Sequence, residues 1–254
     1  MRRIFVLLAL SMVSHSAFAI AFFQGRAIPH FAVGGPQWQT TFVFHNPADQ
    51  LEKFSIDFHG DDGNSVAIPV SGGMSTSVLI TLPPHTTYKL VSDYRPDLPL
   101  TSGSAFITLP PNCQDCGFYF STVYTIFAMY DVQQHKFLCE ATVPQESPNY
   151  NNVVLVYDQQ GYVMGVALMN PSDVEIKLVT VTVYDKDNQL LRTDQFYMKP
   201  LEHRVFALTD RYPETVGRLG YVKFSTNGVT GLAGIGLRFS PNGTFTSMYF
   251  ISVS

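Results

Sequence analysis

Asp57, His59, Asp61 and Asp62 form the densest group of chemically capable side chains in this sequence. Asp57 and His59 flank Phe58, so on a strand they share one face, and the two following acids fall in a turn. Carboxylate oxygens grouped in this way suit a hard cation, which makes the four residues weak candidate metal ligands. The turn itself is the competing use. Asp62-Gly63 is what a tight hairpin demands, because glycine adopts positive φ without strain. Asp185-Lys186-Asp187-Asn188 lacks the downstream glutamate of a calcium loop and reads as a turn as well. Turns are the preferred reading of both, with no metal and no cofactor expected.

Catalytic signatures are scarce. Six histidines stand outside the first 19 residues: His30, His45, His59, His85, His135 and His203. No Gly-x-Ser-x-Gly elbow, glycine-rich phosphate loop or His-Glu-x-x-His pair accompanies them. The run Gly231-Leu232-Ala233-Gly234-Ile235-Gly236 has no helix after it, so its small residues serve close strand approach. An enzyme would need a pocket that gathers His45, His59 or Asp57. Cys113-Gln114-Asp115-Cys116 lies in a loop after Pro110-Pro111. A redox pair belongs at a helix N-terminus and a zinc site needs four ligands, and neither pattern is present. A structural disulfide remains, within the loop (Cys113, Cys116) or from it to Cys139.

That oxidising setting fits the start of the chain. Met1-Arg2-Arg3, the apolar run 4–13 and Ala17-Phe18-Ala19 have the form of a signal peptide, residues 1–19. The apolar run is shorter than the roughly 20 residues of a membrane span. Cleavage removes Arg2 and Arg3 and moves the formal net charge from −4 to −6. Only 14% of residues are charged while 46% are hydrophobic, against about 25% charged in ordinary globular proteins. Such a composition excludes a disordered chain and a coiled coil. The missing basic stripe excludes nucleic acid as a partner. The expected product is secreted or periplasmic, and not membrane-spanning.

The elements that position these residues repeat. Trp38 to Asp49 and Tyr162 to Asp173 share an aromatic, an apolar run and an Asn-Pro turn (Asn46-Pro47, Asn170-Pro171) at an offset of 124 residues. Asp62 and Asp187 correspond at an offset of 125, so the second copy holds one extra residue. The apolar phase changes between Leu178 and Val179, which predicts a β-bulge there, because one inserted residue flips every side chain. Asn46 and Asn170 are expected to bond their own turns, with the proline fixing the next φ.

Short β-branched and aromatic runs broken by Gly, Pro, Asn and Asp every 8–12 residues are the signature of an all-β sandwich. The expected fold is two tandem immunoglobulin-like antiparallel β-sandwich domains, 28–143 and 150–254, joined by a linker at 144–149. A closed outer-membrane barrel is disfavoured, since strands such as Leu232 to Phe239 are apolar on both faces.

At Gly34-Gly35-Pro36-Gln37-Trp38-Gln39-Thr40-Thr41-Phe42-Val43-Phe44-His45-Asn46-Pro47 and Gly236-Leu237-Arg238-Phe239-Ser240-Pro241-Asn242-Gly243-Thr244-Phe245-Thr246-Ser247 the chain resembles exported bacterial proteins of unassigned activity with paired Ig-like β-sandwich repeats. The Asn-Pro strand end is also similar to Ig-like modules of pilus chaperones and cilium-associated proteins. These likenesses imply export and a tandem fold, and carry over no catalytic residues. The expected function is a non-catalytic extracytoplasmic protein for adhesion, envelope attachment or assembly, with a protein or glycan of the envelope as partner. The alternative is a carbohydrate-binding module using exposed aromatics among Tyr94, Tyr119, Tyr124, Tyr130, Tyr150 and Tyr157, and less favoured is a hydrolase.

Overall fold

Alternation of apolar and polar side chains builds the strands. Val179, Val181 and Val183 are fully buried while Thr180 and Thr182 between them face out, and Phe42 and Phe44 alternate with Thr41 and Val43 in the same way. The computed structural model describes residues 26–253 apart from 111, 112, 114, 147–149 and 229, so the segment read as an export signal lies outside it. The first half of the chain forms β1 (Arg26–Val33), β2 (Trp38–His45), β3 (Glu52–Gly60), β4 (Ile68–Val70), β5 (Gly73–Ser75), β6 (Ser77–Leu82), β7 (Thr87–Val91), β8 (Thr101–Thr108), β9 (Thr122–Tyr130) and β10 (Phe137–Pro144). The second half forms β11 (Asn152–Asp158), β12 (Val163–Met169), β13 (Lys177–Asp185), β14 (Leu190–Met198), β15 (His203–Ala207), the one-turn helix α1 (Leu208–Arg211), β16 (Leu219–Thr226), β17 (Ala233–Phe239), β18 (Phe245–Tyr249) and β19 (Ile251–Ser252).

All the ladders are antiparallel, and every sheet is open at its edges. The first half gives sheets ordered β1-β8-β3-β6 and β10-β9-β2-β7, with β4-β5 as a small hairpin. The second gives β14-β13-β16-β11-β19 and β15-β12-β17-β18. Setting aside β4, β5 and the terminal β19, the two halves share one strand order. Both also bring a glycine against a neighbouring backbone. A Cβ on Gly103 would lie 2.0 Å from His59 O, and one on Gly220 2.1 Å from Tyr184 O, with an aromatic ring of the half's first strand, Phe31 or Tyr157, within 3 Å. The two interiors differ in material. The first is built of phenylalanine, with Phe42–Phe58 and Phe44–Phe54 ring pairs at 5.6 and 5.5 Å, and the second around Val179, Val181, Val183, Leu155 and Phe224.

The Asn-Pro turns of both halves use one set of hydrogen bonds. Asn46 and Asn170 are each wholly buried. Asn46 Nδ2 donates to the carbonyls of Gln50, Leu82 and Pro83, and its Oδ1 accepts from Ala48 N. Asn170 Nδ2 donates to Glu175, Met198 and Lys199, and its Oδ1 accepts from Ser172 N. One amide therefore ties its own turn to the end of the half's fourth strand, reaching well beyond the local turn that the sequence suggested.

The bulge expected at Leu178–Val179 is absent. Lys177–Val183 pair continuously with β14 and Val179–Asp185 with β16; the register shift in this strand lies at Val183/Tyr184. Val174 and Ile176 are exposed before the strand begins, and the inward position ahead of Val179 belongs to Lys177. The extra residue sits in the loop, since Asn46 reaches the carbonyl four residues on and Asn170 the one five residues on. Patterning failed because a lysine fills a core position with its apolar stem. Its Nζ is satisfied by Thr230 O at 2.6 Å and Glu175 Oε2 at 3.1 Å. In the first half, Glu52 opens the matching strand, is equally buried, and accepts the backbone N–H groups of Tyr119, Phe120 and Ser121. Opposite charges thus tie down the same loop in the two halves.

Replacing either asparagine by alanine leaves one buried and two part-buried carbonyls without their donor. Asn46→Ala and Asn170→Ala are each expected to lower the unfolding free energy by about 3 kcal/mol in urea titrations. A loss below ~1 kcal/mol would show that water replaces the amide.

Candidate functional site

The loop after β3 reaches across to the second half of the chain. Gly60 N bonds Asn64 O at 2.9 Å and Gly63 N bonds Gly60 O at 3.0 Å, while Asp62 accepts from the backbone and side chain of Asn64. Gly63 has φ +83°, and a Cβ there would stand 2.4 Å from Pro200 O. Glycine is required twice over, for its backbone angle and for the contact with Pro200, Leu201 and Glu202. The Asn64 N–H holds the Asp62 carboxyl below its ordinary range, with the Asn64 side chain adding to the effect.

This docking carries Asp61 to His203, the first residue of β15. His203 Nδ1 lies 2.8 Å from Asp61 Oδ1, and His203 Nε2 lies 3.2 Å from Nδ1 of His30 on β1. Ser102 Oγ donates to Asp61 at 3.2 Å. His30 and His203 are buried and their rings stack at 5.3 Å, with the His30 ring edge-on to Phe127 at 5.2 Å. Asp61 stays open to solvent. The three side chains make a chain of hydrogen bonds from the surface to the interior, across the seam between the halves. Burial, and secondarily the facing His203, hold His30 down to about 3, so its ring is neutral.

A cavity of about 340 Å³ opens beside His30. Trp38, Leu100 and Phe127 wall it from the first half, and Val166, Phe206 and Phe239 from the second. Around it the hydrophobic interior runs without a break from Phe42, Phe58 and Phe127 into Ala167, Ile235, Leu237 and Phe245. Phe245 packs on Phe127 at 4.9 Å and on Trp38 at 5.8 Å. On the other side of β1, Glu146 exchanges backbone hydrogen bonds with Ala27 and accepts Gly234 N at 3.3 Å. Burial pushes the Glu146 carboxyl up to about 7, against the lowering effect of that N–H.

The four candidate metal ligands do not converge. Asp57 accepts from Ser77 and Thr108, His59 Nδ1 faces Gly63 O at 3.1 Å, Asp61 serves His203, and Asp62 stays within its own turn. Among the described residues no three His, Cys, Asp or Glu side chains are grouped to hold a metal. His45 bonds Thr87 Oγ1, away from His59 and Asp57. Cys113 and Cys116 form a disulfide, and Cys139 is free, with burial raising its thiol pKa. Tyr157 is core. Tyr119 and Tyr124 are exposed toward one end of β9 and Tyr150 is exposed before β11, while at the other end of β9 Tyr130 stacks on His135 at 4.8 Å and Tyr94 packs tilted against it at 3.6 Å. Sequence reasoning passed over His30 and His203, whose positions, 173 residues apart, form no motif. Among the described residues no helix is long and apolar enough to cross a membrane. No protein-family model, curated protein or solved structure matches this chain.

Two titrations act on the seam with opposite sign. Glu146 stabilises the fold as a neutral acid: its contribution is complete below its ordinary value of 4.5 and is lost as pH rises through 7. His30 stabilises it as a neutral ring: its contribution is complete above 6.5 and is lost as pH falls toward 3. Glu146→Gln mimics the protonated acid at every pH. Its stability relative to the parent is expected to grow by about 3 kcal/mol between pH 4.5 and well above 7, read by urea unfolding at each pH. A pH-independent difference would place the carboxylate in water.

Proposed function

We propose that this chain is a non-catalytic extracytoplasmic Ig-like protein for adhesion, envelope attachment or assembly, and that it receives an extended partner segment along β6. The observation that carries this reading is the composition of that edge. Ser77-Val78-Leu79-Ile80-Thr81-Leu82 pairs with β3 on one side only, bears no charge or proline, and exposes Leu79. Uncovered uncharged strands of this kind template pairing with another chain, and natural sheets usually block them with charge, bulges or cover. The matching strand of the second half is blocked: β14 carries Arg192 and Asp194, paired with Glu214 and Arg211. Most of the remaining edges have guards of their own: Glu146 straps β1, Lys89 sits on β7, Glu140 on β10 and Arg204 on β15, while β18 and the two-residue β19 lack charge but are shorter than β6.

The Ig-like reading draws support from pairing. In each half the second strand lies beside the fifth and the third beside the sixth, as B lies beside E and C beside F in an Ig sandwich. The first strand sits next to the sixth, where such a sandwich places its last. The Cys113–Cys116 disulfide fits an oxidising compartment and so the exported reading. The glycan alternative keeps Tyr119, Tyr124 and Tyr150 as exposed rings, while Tyr94 and Tyr130 pack on His135 and have less free face to offer a sugar.

A photo-crosslinker at position 79 of the chain without residues 1–19 is expected to capture a partner in envelope fractions, and Leu79→Lys to reduce binding about tenfold. Arg192→Ala on β14 leaves binding unchanged. Crosslinks between copies of this chain would make the partner a second copy; binding that Leu79→Lys does not weaken would overturn the strand-addition reading.

A further inference from the structure

We infer that the seam cavity is a binding site for an uncharged, largely apolar small molecule that presents one hydrogen-bond donor to His30 Nε2. The inference goes beyond the β6 proposal and does not depend on it. The direction of the hydrogen bonds follows from the donors present. A carboxylate only accepts, so His203 Nδ1–H donates to Asp61. When His203 carries its single proton on Nδ1, its Nε2 is the acceptor for His30 Nδ1–H. That fixes the tautomer of His30 and leaves its Nε2 as a bare lone pair. His30 is 5% exposed and lines the cavity, and no described residue donates to Nε2.

The lone pair faces the cavity, so a molecule that enters and donates to it gains a hydrogen bond in exchange for one to water. The rest of the lining limits what that can be. Apart from Ser102, whose hydroxyl is given to Asp61, the lining is apolar, with Trp38, Leu100, Phe127, Val166, Phe206 and Phe239 offering contact area and no charge, which disfavours an ion by desolvation. The volume of about 340 Å³ is more than twice that of an apolar cavity known to take benzene, which suits a body of about ten carbon atoms. A compact alicyclic or aromatic alcohol meets each condition: apolar bulk, one hydroxyl, no charge. Half-exposed Val163 lines the cavity and stands where it meets solvent, giving a route in.

The test uses Trp38, the only tryptophan in the chain, as its reporter. Fluorescence of the chain without residues 1–19 is titrated with menthol and with menthyl methyl ether, which keeps the bulk and lacks the donor. The pH is held at about 8, above the ordinary histidine range. Menthol is expected to saturate the signal about tenfold more tightly than the ether. His30→Leu should erase that preference while still binding both, and Val163→Phe should abolish saturation. No saturable response, equal affinity for alcohol and ether in the parent protein, or undiminished saturation in Val163→Phe would each overturn the assignment. The first two comparisons need no variant, so a misfolded His30→Leu protein does not shelter the proposal.

Discussion

The interior of the first half is completed by the second. Phe127, Trp38 and Phe31 belong to the first sandwich, yet the surface they would leave open is closed by Phe245, Leu237, Ile235 and Ala167. Apolar contact of this extent is the dominant source of cohesion between packed elements, and it gives the halves a fixed seam instead of a hinge. The other features of the seam depend on that closure. The cavity is the part of the junction that the shared interior does not fill. The histidine chain is buried only because both halves cover it, and Glu146 is desolvated by the same approach.

Apolar packing by itself selects an angle poorly, because it is non-directional. The polar contacts across the seam supply direction. Asp61, His203 and His30 must line up within hydrogen-bond distance, and Gly63 must meet the carbonyl of Pro200 with no Cβ between them. A rotation of one half against the other would strand two buried imidazoles, whose unpaired nitrogens would each cost about 1–3 kcal/mol. Specificity bought in this way comes with a titration, and the neutral ring of His30 and the neutral acid of Glu146 pull the seam's stability in opposite directions with pH.

Much of the scaffold was legible in the sequence because its signals are local. The all-β character follows from runs such as Val179 to Val183, and the repeat from the two Asn-Pro strand ends. A disulfide was expected from spacing that suits neither zinc nor a redox helix, and the structure closes it within the loop and leaves Cys139 free. Lys177 shows where such reading ends. A period-two pattern assigns an inward site to an apolar residue, and nothing local announces that a lysine will lie there with its ammonium held by Thr230 O. The short helix at Leu208–Arg211 escaped for a similar reason, since a single turn carries no periodicity. Asp61 was read as part of a cation cluster from its neighbours in sequence. Its actual partner lies 142 residues away, and no spacing rule connects positions 30, 61 and 203.

The strand order that the two halves share sets matched positions side by side. The buried amides of Asn46 and Asn170 make matching bonds, and loss of either would leave three carbonyls without their donor, so the same amide serves both halves. Other matched positions have only to satisfy a requirement, and the chemistry that does so can differ. Glu52 and Lys177 anchor the same loop with opposite charge, one by accepting three N–H groups and the other by donating to a carbonyl. β6 and β14 occupy the same edge, and only β14 carries charges that deter another strand. Where two copies share a constraint and answer it differently, the difference marks surface free to acquire a function of its own.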